Sequence, residues 1–350
     1  MSLPVPTQPI PVTILTGFLG AGKTTLLNRI IRGDHGLRVA VMVNDFGAIN
    51  IDNELIVDIE GESVSLANGC ICCTIRDDLL IALLKLLTRP EPPEYVLIEA
   101  SGVSDPVAIA MTFLLPELRP LIVLDGIVTV VDAEQVFDQR RQMGGMIEEQ
   151  IQAADIVVLN KIDLASAEQR QQVQQWITNL VPRARILAGT HADVPLELLL
   201  GVGRYRMALE LAVPAHDDHD HDDHDHHHHH DHSDQFMSWS YRSDQPMDLR
   251  AVREMLKQLP MTIMRAKGIV WVADAPTRRL IVHVVGKRIA MTIGAEWGDQ
   301  TPATQLVAIA TPGGIDHEAL TAQFEACQQQ PTPKNPLVTA WEWVRSHQPA

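Results

Sequence analysis

One short motif limits this chain more than any other feature of its 350 residues. Residues 17–24 read GFLGAGKT and match the pattern G-x-x-x-x-G-K-[ST]. A predicted strand at Val12–Leu15 precedes the motif, and a predicted helix at Thr24–Arg32 follows it. Glycines at such a turn let backbone N–H groups point inward at the start of a helix, which creates an anion site. The motif therefore predicts a nucleotide-phosphate loop, and the alternative is a chance glycine-rich turn.

The polar residues of this phosphate loop have separate expected roles. Lys23 is expected to neutralise the β- and γ-phosphates, which also makes it a candidate catalytic residue, and the Thr24 hydroxyl to hold Mg²⁺. The predicted nucleotide-binding residues of this segment are Gly17, Gly20, Ala21, Gly22, Lys23, Thr24 and Thr25.

A second motif, Asn160-Lys161-Ile162-Asp163, ends a predicted buried strand at Ile156–Leu159. The Asp163 carboxylate can accept both the N1–H and the N2–H₂ of guanine, a pattern that adenine does not offer. We expect Asn160 to help hold the loop and the other edge of the base, and the Lys161 stem to pack on the base. Alone, the tetrapeptide is also typical of a solvated turn. About 135 residues after a phosphate loop, it favours GTP over ATP.

Glu99 and Gly102 follow the predicted strand Tyr95–Ile98 and are candidate catalytic residues. A carboxylate at a strand end can act on Mg²⁺ or on the attacking water, and a glycine N–H just after it can meet the γ-phosphate. Hydrolysis at such a site depends on positioning and electrostatics rather than on a protein nucleophile. The alternative is a strand-end glutamate that faces solvent.

Three of the four cysteines are crowded together as Cys70, Cys72 and Cys73. A disulfide framework would space them out, so the crowding indicates metal or redox chemistry in a reducing compartment. Thiolates select Zn²⁺, Co²⁺ or Cu⁺ over Mg²⁺. Inert buried thiols and a redox pair are the alternatives. The cluster predicts a metal site whose fourth position is open or filled from elsewhere in the chain.

Residues 216–232 contain ten histidines and seven aspartates and no apolar side chain. Such a composition predicts a solvated insert rather than part of a core. Its imidazoles are expected to bind transition metals weakly, with His216, His219, His221 and His224 as auxiliary ligands. The alternative is a flexible, charged spacer.

The order of predicted elements indicates a two-part α/β protein. Strands alternate with helices over residues 12–205, which predicts a P-loop NTPase domain with a mostly parallel sheet and helices on both faces. A smaller α+β domain is predicted at 237–328. The remaining divisions are an N-terminal arm at 1–11, a His/Asp-rich linker at 206–236 and a tail at 329–350.

Charge and hydropathy exclude several classes of protein. The 44 acidic and 28 basic residues give a formal charge of −16, which disfavours binding to nucleic acid or to an anionic membrane. No apolar run approaches the ~20 residues that span a bilayer. The first residues are proline-rich and not basic, so no signal peptide is expected. We therefore expect a cytoplasmic protein.

Taken together, these motifs resemble the CobW family of P-loop GTPases, relatives of the nickel-delivery GTPases for urease and hydrogenase. The Gly69–Cys73 element, G-C-x-C-C, is the most specific mark of the resemblance. The other matching segments are Gly17–Thr24, Val43–Gly47, Glu99–Gly102, Asp105–Pro106, Asn160–Asp163, Val194–Leu199 and Lys267–Trp271.

The resemblance implies a GTP-hydrolysing metallochaperone that binds zinc or cobalt through Cys70, Cys72 and Cys73 under nucleotide control. It would deliver the metal to an acceptor protein or to a pathway such as cobalamin synthesis, as a monomer or homodimer. Asn44–Gly47 would lie in the first switch and Glu99–Gly102 in the second. Two other functions stay open, a metal buffer with a vestigial GTPase and a P-loop kinase that phosphorylates a small molecule.

Overall fold

The structure, a computed structural model, describes residues 9–33, 35–43, 63–65, 81, 83–115, 118, 120–200 and 236–328. Two β-sheets organise these residues, one of seven strands and one of five. Every strand pair in the first sheet is parallel, and every pair in the second is antiparallel. The predicted fold class, a parallel α/β unit followed by a smaller α+β unit, is confirmed.

The first sheet is built from the continuous apolar runs of the N-terminal half. Its strands are β1 (Ile10–Thr16), β2 (Val39–Val43), β3 (Ser63–Ser65), β4 (Tyr95–Glu99), β5 (Ile122–Asp132), β6 (Ile156–Asn160) and β7 (Arg185–Ala188). They lie in the order β3-β2-β4-β1-β5-β6-β7. Strands β2, β4 and β6 are buried along their whole length, as parallel strands covered on both faces must be.

Helices cover both faces of this sheet. One face carries the helices Lys23–Arg32 and Leu196–Leu200. The other carries a helical segment at 83–87 and the helices Pro106–Phe113, Val136–Met143, Gly145–Ala153 and Ala167–Leu180. Neighbouring residues of β1 show the division, since Leu15 packs with the first group and Ile14 with the second. No helix in the described ranges is long and apolar enough to cross a membrane.

Several elements differ from the sequence prediction. The helices Pro106–Phe113, Val136–Met143 and Gly145–Ala153 are not predicted by the strand–helix patterning. The first of them is apolar on nearly every side and so lacks a helical period, although Asp105 caps it at 2.8 Å from the Val107 nitrogen. The apolar run Ile127–Val131 predicts a strand, and β5 begins five residues earlier, at Ile122. The sequence also predicts a helix at Asp78–Leu87, of which the structure describes residues 81 and 83–87.

The second sheet forms the core of a smaller unit. Its strands are β8 (Met237–Ser243), β9 (Ile263–Trp271), β10 (Arg278–Val285), β11 (Arg288–Glu296) and β12 (Thr304–Ala310), in the order β11-β10-β9-β12-β8. Two helices, Leu249–Lys257 and His317–Glu325, cover one face, and Asp248 and Asp316 cap them. Cys327, the fourth cysteine, is expected from the sequence to have a packing role, and it is buried in this core.

A buried ionic cluster joins the two units. The Asp125 carboxylate of β5 lies 2.7 Å from the Arg265 guanidinium of β9, and both side chains are 3% exposed. The Tyr95 hydroxyl donates to Asp125 at 2.5 Å, and His283 Nε2 lies 3.2 Å from it. The sequence predicts this strand at Ile269–Ala273, whereas β9 begins at Ile263 and includes Arg265, a charged residue that is buried on the strand.

Burial and charge act in opposite directions on the titration of this cluster. Burial alone raises the pKa of the Asp125 carboxyl, but the Arg265 guanidinium and the His283 and Tyr95 hydrogen bonds outweigh it and hold that pKa below its ordinary value. Burial, reinforced by the Asp125 charge, raises the pKa of the Tyr95 hydroxyl. The carboxylate is therefore the charged form in the folded protein.

Candidate nucleotide-binding site

The phosphate loop begins and ends at glycines that have little room for a side chain. Gly17 has a φ of 134°, and a Cβ there would lie 2.2 Å from the Val130 carbonyl oxygen. Gly22 caps the helix Lys23–Arg32 with a φ of 108°. Since Gly22 has no side chain, the N–H groups of the first helical turn are left for an anion, and the helix dipole favours one there.

Lys23 is the buried cation of this loop, 8% exposed. Its Nζ donates to the Phe18 carbonyl oxygen at 3.3 Å, so the ammonium lies over the loop rather than out in solvent. A cation in that position can reach phosphate oxygens that the loop's N–H groups also contact.

Thr24 and Glu99 meet at the carboxyl edge of the sheet. Strand β4 pairs with β1 so that Glu99 lies beside Leu15, two residues before the loop. The Thr24 hydroxyl donates to Glu99 Oε1 at 3.0 Å, and Glu99 is 3% exposed. A hydroxyl and a carboxylate at this distance form the oxygen-donor set that Mg²⁺ prefers.

The segment after Glu99 touches the phosphate loop directly. A Cβ on Gly102 would lie 2.7 Å from Leu19 Cδ2 and 2.8 Å from the Leu19 nitrogen. Gln150, on the helix Gly145–Ala153, donates its side-chain amide to the Gly102 carbonyl at 3.0 Å and is 2% exposed. Gly102 is therefore fixed from two sides.

Asn160 links the phosphate loop to a loop beyond β7. Its Nδ2 donates to the Ala21 carbonyl at 2.9 Å, and its Oδ1 accepts from the Ala192 N–H at 2.7 Å. The side chain is 2% exposed. Its role in holding loops together is thus visible, with both ends of the amide engaged by protein.

Lys161 and Asp163 belong to the same turn, but Lys161 is bound to another side chain whereas Asp163 is exposed. Lys161 has a φ of 59°, and its Nζ forms an ion pair of 2.7 Å with the fully buried Asp132 side chain. The second oxygen of Asp132 accepts from the N–H groups of Glu134 and Gln135 at 2.9 and 3.1 Å. Asp163 is exposed, so its carboxylate is accessible to a ligand.

Thr25 is exposed on the first helix and lines a cavity of about 770 Å³ with Asn28, Arg29, His35 and Asp193. The structure thus brings together the phosphate loop, Thr24, Glu99, Gly102 and Asn160, and places Thr25, Lys161 and Asp163 on the surrounding surface.

The predicted transition-metal ligands lie outside the described residues. These are Cys70, Cys72 and Cys73 and the four tract histidines His216, His219, His221 and His224. The predicted first-switch segment, Asn44–Gly47, lies outside them as well. Within the part of the chain that is described, no group of three or more His, Cys, Asp or Glu side chains could hold a metal ion.

Sequence reasoning missed three parts of this site. Asp132 ends β5, where a buried carboxylate at a strand end was the available signal. Gln150 and the loop at 189–193 belong to no motif, and only the fold brings them to the site.

Comparison with known proteins identifies the family. Residues 11–188 match the CobW/HypB/UreG nucleotide-binding domain, and residues 236–328 match the cobalamin synthesis protein CobW C-terminal domain. The chain belongs to the CobW/HypB/UreG family. It is a P-loop GTPase with a CobW C-terminal domain.

Two CobW-family relatives are similar over nearly the whole chain. The zinc chaperone CobW of Pseudomonas aeruginosa is 35% identical over 350 residues, which is 90% of each chain. The zinc chaperone YjiA of Escherichia coli is 32% identical over 326 residues, 91% of this chain and 98% of the relative. A crystal structure of Zn(II)-bound YjiA GTPase covers 92% of this chain and 100% of its own, at 27% identity and a TM-score of 0.45.

Proposed function

We propose that this protein is a GTP-driven zinc chaperone in which the nucleotide state controls metal binding by Cys70, Cys72 and Cys73. Zinc chaperones are the relatives at 35% and 32% identity, which supports zinc as the cargo. Thiolate ligands also accept Co²⁺, so cobalt is the second candidate metal. The metal is cargo, and an acceptor protein receives it.

The observation that carries this proposal is the path of the chain at the sheet edge. Strand β3 pairs with β2 in parallel, so it ends at the edge where the phosphate loop and Glu99 lie. Cys70 comes five residues after Ser65, the last residue of β3. Five residues reach at most about 18 Å. The chain length therefore limits Cys70 to within about 18 Å of the end of β3, at the same sheet edge as the phosphate loop.

The nucleotide chemistry follows from the residues already described. The open helix N-terminus and Lys23 bind the phosphates, and the Asp163 carboxylate accepts from guanine. The Thr24 hydroxyl and Glu99 fit Mg²⁺, which when bound supplies positive charge to the phosphate oxygens. Glu99 also orients the attacking water, while Gly102 presents its N–H to the γ-phosphate.

GTP binding and metal binding are coupled because GTP changes how well ordered the thiol segment is. GTP orders the thiol segment, and hydrolysis relaxes it and releases the metal. Thermodynamic reciprocity requires that the metal tighten GTP binding by the same factor. A nucleotide-independent metal affinity is incompatible with this scheme.

Cobalt titration of the reduced, full-length protein tests the proposal. Thiolate-to-cobalt charge transfer reports binding to cysteine and is silent for the imidazoles of the His/Asp tract. We expect one tight site with a non-hydrolysable GTP analogue and Mg²⁺, much weaker binding with GDP, and displacement by Zn²⁺. Cys72→Ala removes the signal, whereas the matched control Cys327→Ala keeps it, since Cys327 is buried in the C-terminal core.

Other outcomes point to the other functions. Equal binding with both nucleotides, at a stoichiometry well above one, indicates a metal buffer. Nucleoside diphosphate release that depends on a small-molecule acceptor indicates a kinase.

A further inference from the structure

The loop at 189–193, between β7 and the helix Leu196–Leu200, is held by side chains from two other elements. On one side Asn160 Oδ1 accepts from the Ala192 N–H at 2.7 Å. On the other side Arg29, from the helix that follows the phosphate loop, donates through Nε to the His191 carbonyl at 2.8 Å. The Arg29 Nη1 also pairs with Asp193 Oδ1 at 2.8 Å.

This double attachment keeps an unusual backbone in place. His191 and Ala192 have φ values of 51° and 57°, the left-handed region that residues with a side chain rarely occupy. A strained backbone conformation of this kind persists only where several surrounding contacts hold it in place. Here the hydrogen bonds of Arg29 and Asn160 provide those contacts.

The loop lies against the turn that carries Asp163. The Gly189 N–H donates to the Leu159 carbonyl at 2.9 Å, and its carbonyl accepts from Ile162 at 3.4 Å. Across the described residues, the N–H groups of Thr190 and His191 donate to no acceptor. Two such donors beside a purine-binding turn suit an acceptor atom on the ligand.

Guanine and adenine differ at that point. Guanine carries the O6 acceptor next to the N1–H and N2–H₂ donors that Asp163 accepts, whereas adenine carries an amino donor at position 6. We infer that Arg29 is a positioning residue for base discrimination: it holds the 189–193 loop so that its N–H groups meet O6. This inference rests on the proposed guanine site and deepens it.

Three nucleoside diphosphates, GDP, IDP and ADP, distinguish recognition of O6 from a purely structural role of Arg29 in the full-length protein. IDP keeps O6 but lacks the 2-amino group, and ADP has neither. Dissociation constants for GDP, IDP and ADP are measured by competition with a fluorescent guanine nucleotide. For Arg29→Ala we expect the GDP and IDP constants to rise by the same factor, about three- to tenfold, because the Arg29–Asp193 pair is partly exposed. The ADP constant changes less than twofold.

Two further variants complete the experiment. Arg29→Lys keeps the charge but not the forked geometry, so it recovers part of the GDP affinity. Arg32→Gln is the matched control, since Arg32 is exposed one turn further along the same helix, and it leaves all three constants unchanged.

Each other outcome contradicts the inference. A parallel rise for all three nucleotides in Arg29→Ala shows a structural role only, and unchanged GDP binding shows no role. A wild-type protein that binds ADP as tightly as GDP overturns the guanine site itself, and this inference with it.

Discussion

Gln150 donates its side-chain amide to the carbonyl oxygen of Gly102 at 3.0 Å, a buried hydrogen bond between residues 48 positions apart. The same amide lies 3.4 Å from the Ser104 carbonyl, and the Gln150 carbonyl accepts from Thr129 at 2.9 Å. One residue of the helix Gly145–Ala153 thus connects β5 to the segment that follows Glu99.

Gln150→Leu is expected to slow GTP hydrolysis without weakening nucleotide binding. The change removes the amide that Gly102 and Ser104 share, and buried carbonyls without a donor cost about 1–3 kcal/mol. The segment then shifts, so we expect kcat to fall about tenfold with GDP affinity within twofold of wild type. Steady-state hydrolysis and GDP titration measure the two quantities. Gln152→Leu is the control, because Gln152 is exposed on the same helix. An unchanged kcat for Gln150→Leu contradicts the assigned role.

Gly22 and Gly20 provide a matched pair within the phosphate loop. Both have positive φ values, 108° and 74°, so alanine is strained at either position. At Gly22 a Cβ would also lie 2.3 Å from Asn160 Nδ2, while at Gly20 it meets nothing within 4 Å. We expect Gly22→Ala to abolish measurable GDP binding and Gly20→Ala to weaken it about tenfold or less, since one strained residue costs about 1–2 kcal/mol. Equal losses in isothermal titration would show that the Asn160 contact is unimportant.

The sequence predicts most of the first unit because its signals are local. A glycine-rich turn between a strand and a helix, and apolar runs at Val39–Val43 and Ile156–Leu159, each report a structure formed by adjacent residues. The sequence also predicts helices that begin at Ser166 in the first unit and at Asp248 and Asp316 in the second, and all three side chains cap a helix in the structure.

The parts that sequence reasoning misses depend on contacts between distant residues. Nothing local predicts that Arg265 is buried, and it is β9 that brings it to Asp125, 140 positions away. Arg29 looks like a solvated helix residue, and its partner Asp193 lies 164 positions further along the chain. Neither pairing leaves a pattern in the sequence near either residue.

Because the buried Asp125–Arg265 pair joins the two units, we expect it to contribute to the free energy of unfolding and to make that free energy sensitive to acid. Asp125→Asn leaves the Arg265 charge buried without its anion, which costs about 3–5 kcal/mol at pH 7. Asp125→Asn combined with Arg265→Met removes both charges and should recover part of that loss. Asp138→Asn is the control, since its ion pair with Arg141 is exposed, and it should change stability by less than about 0.5 kcal/mol.

The pH dependence has a definite sign. The pKa of Asp125 is lower in the folded protein than its ordinary value near 4, so its contribution is fully present above about pH 4 and is lost as the pH falls below it. The difference in unfolding free energy between wild type and Asp125→Asn should therefore be constant from pH 7 to pH 5. It should then shrink by about 1.4 kcal/mol for each pH unit below about 4. Urea unfolding of both proteins at pH 7, 5 and 3.5 measures it, and a difference that stays constant to pH 3.5 contradicts the assigned ionisation of Asp125.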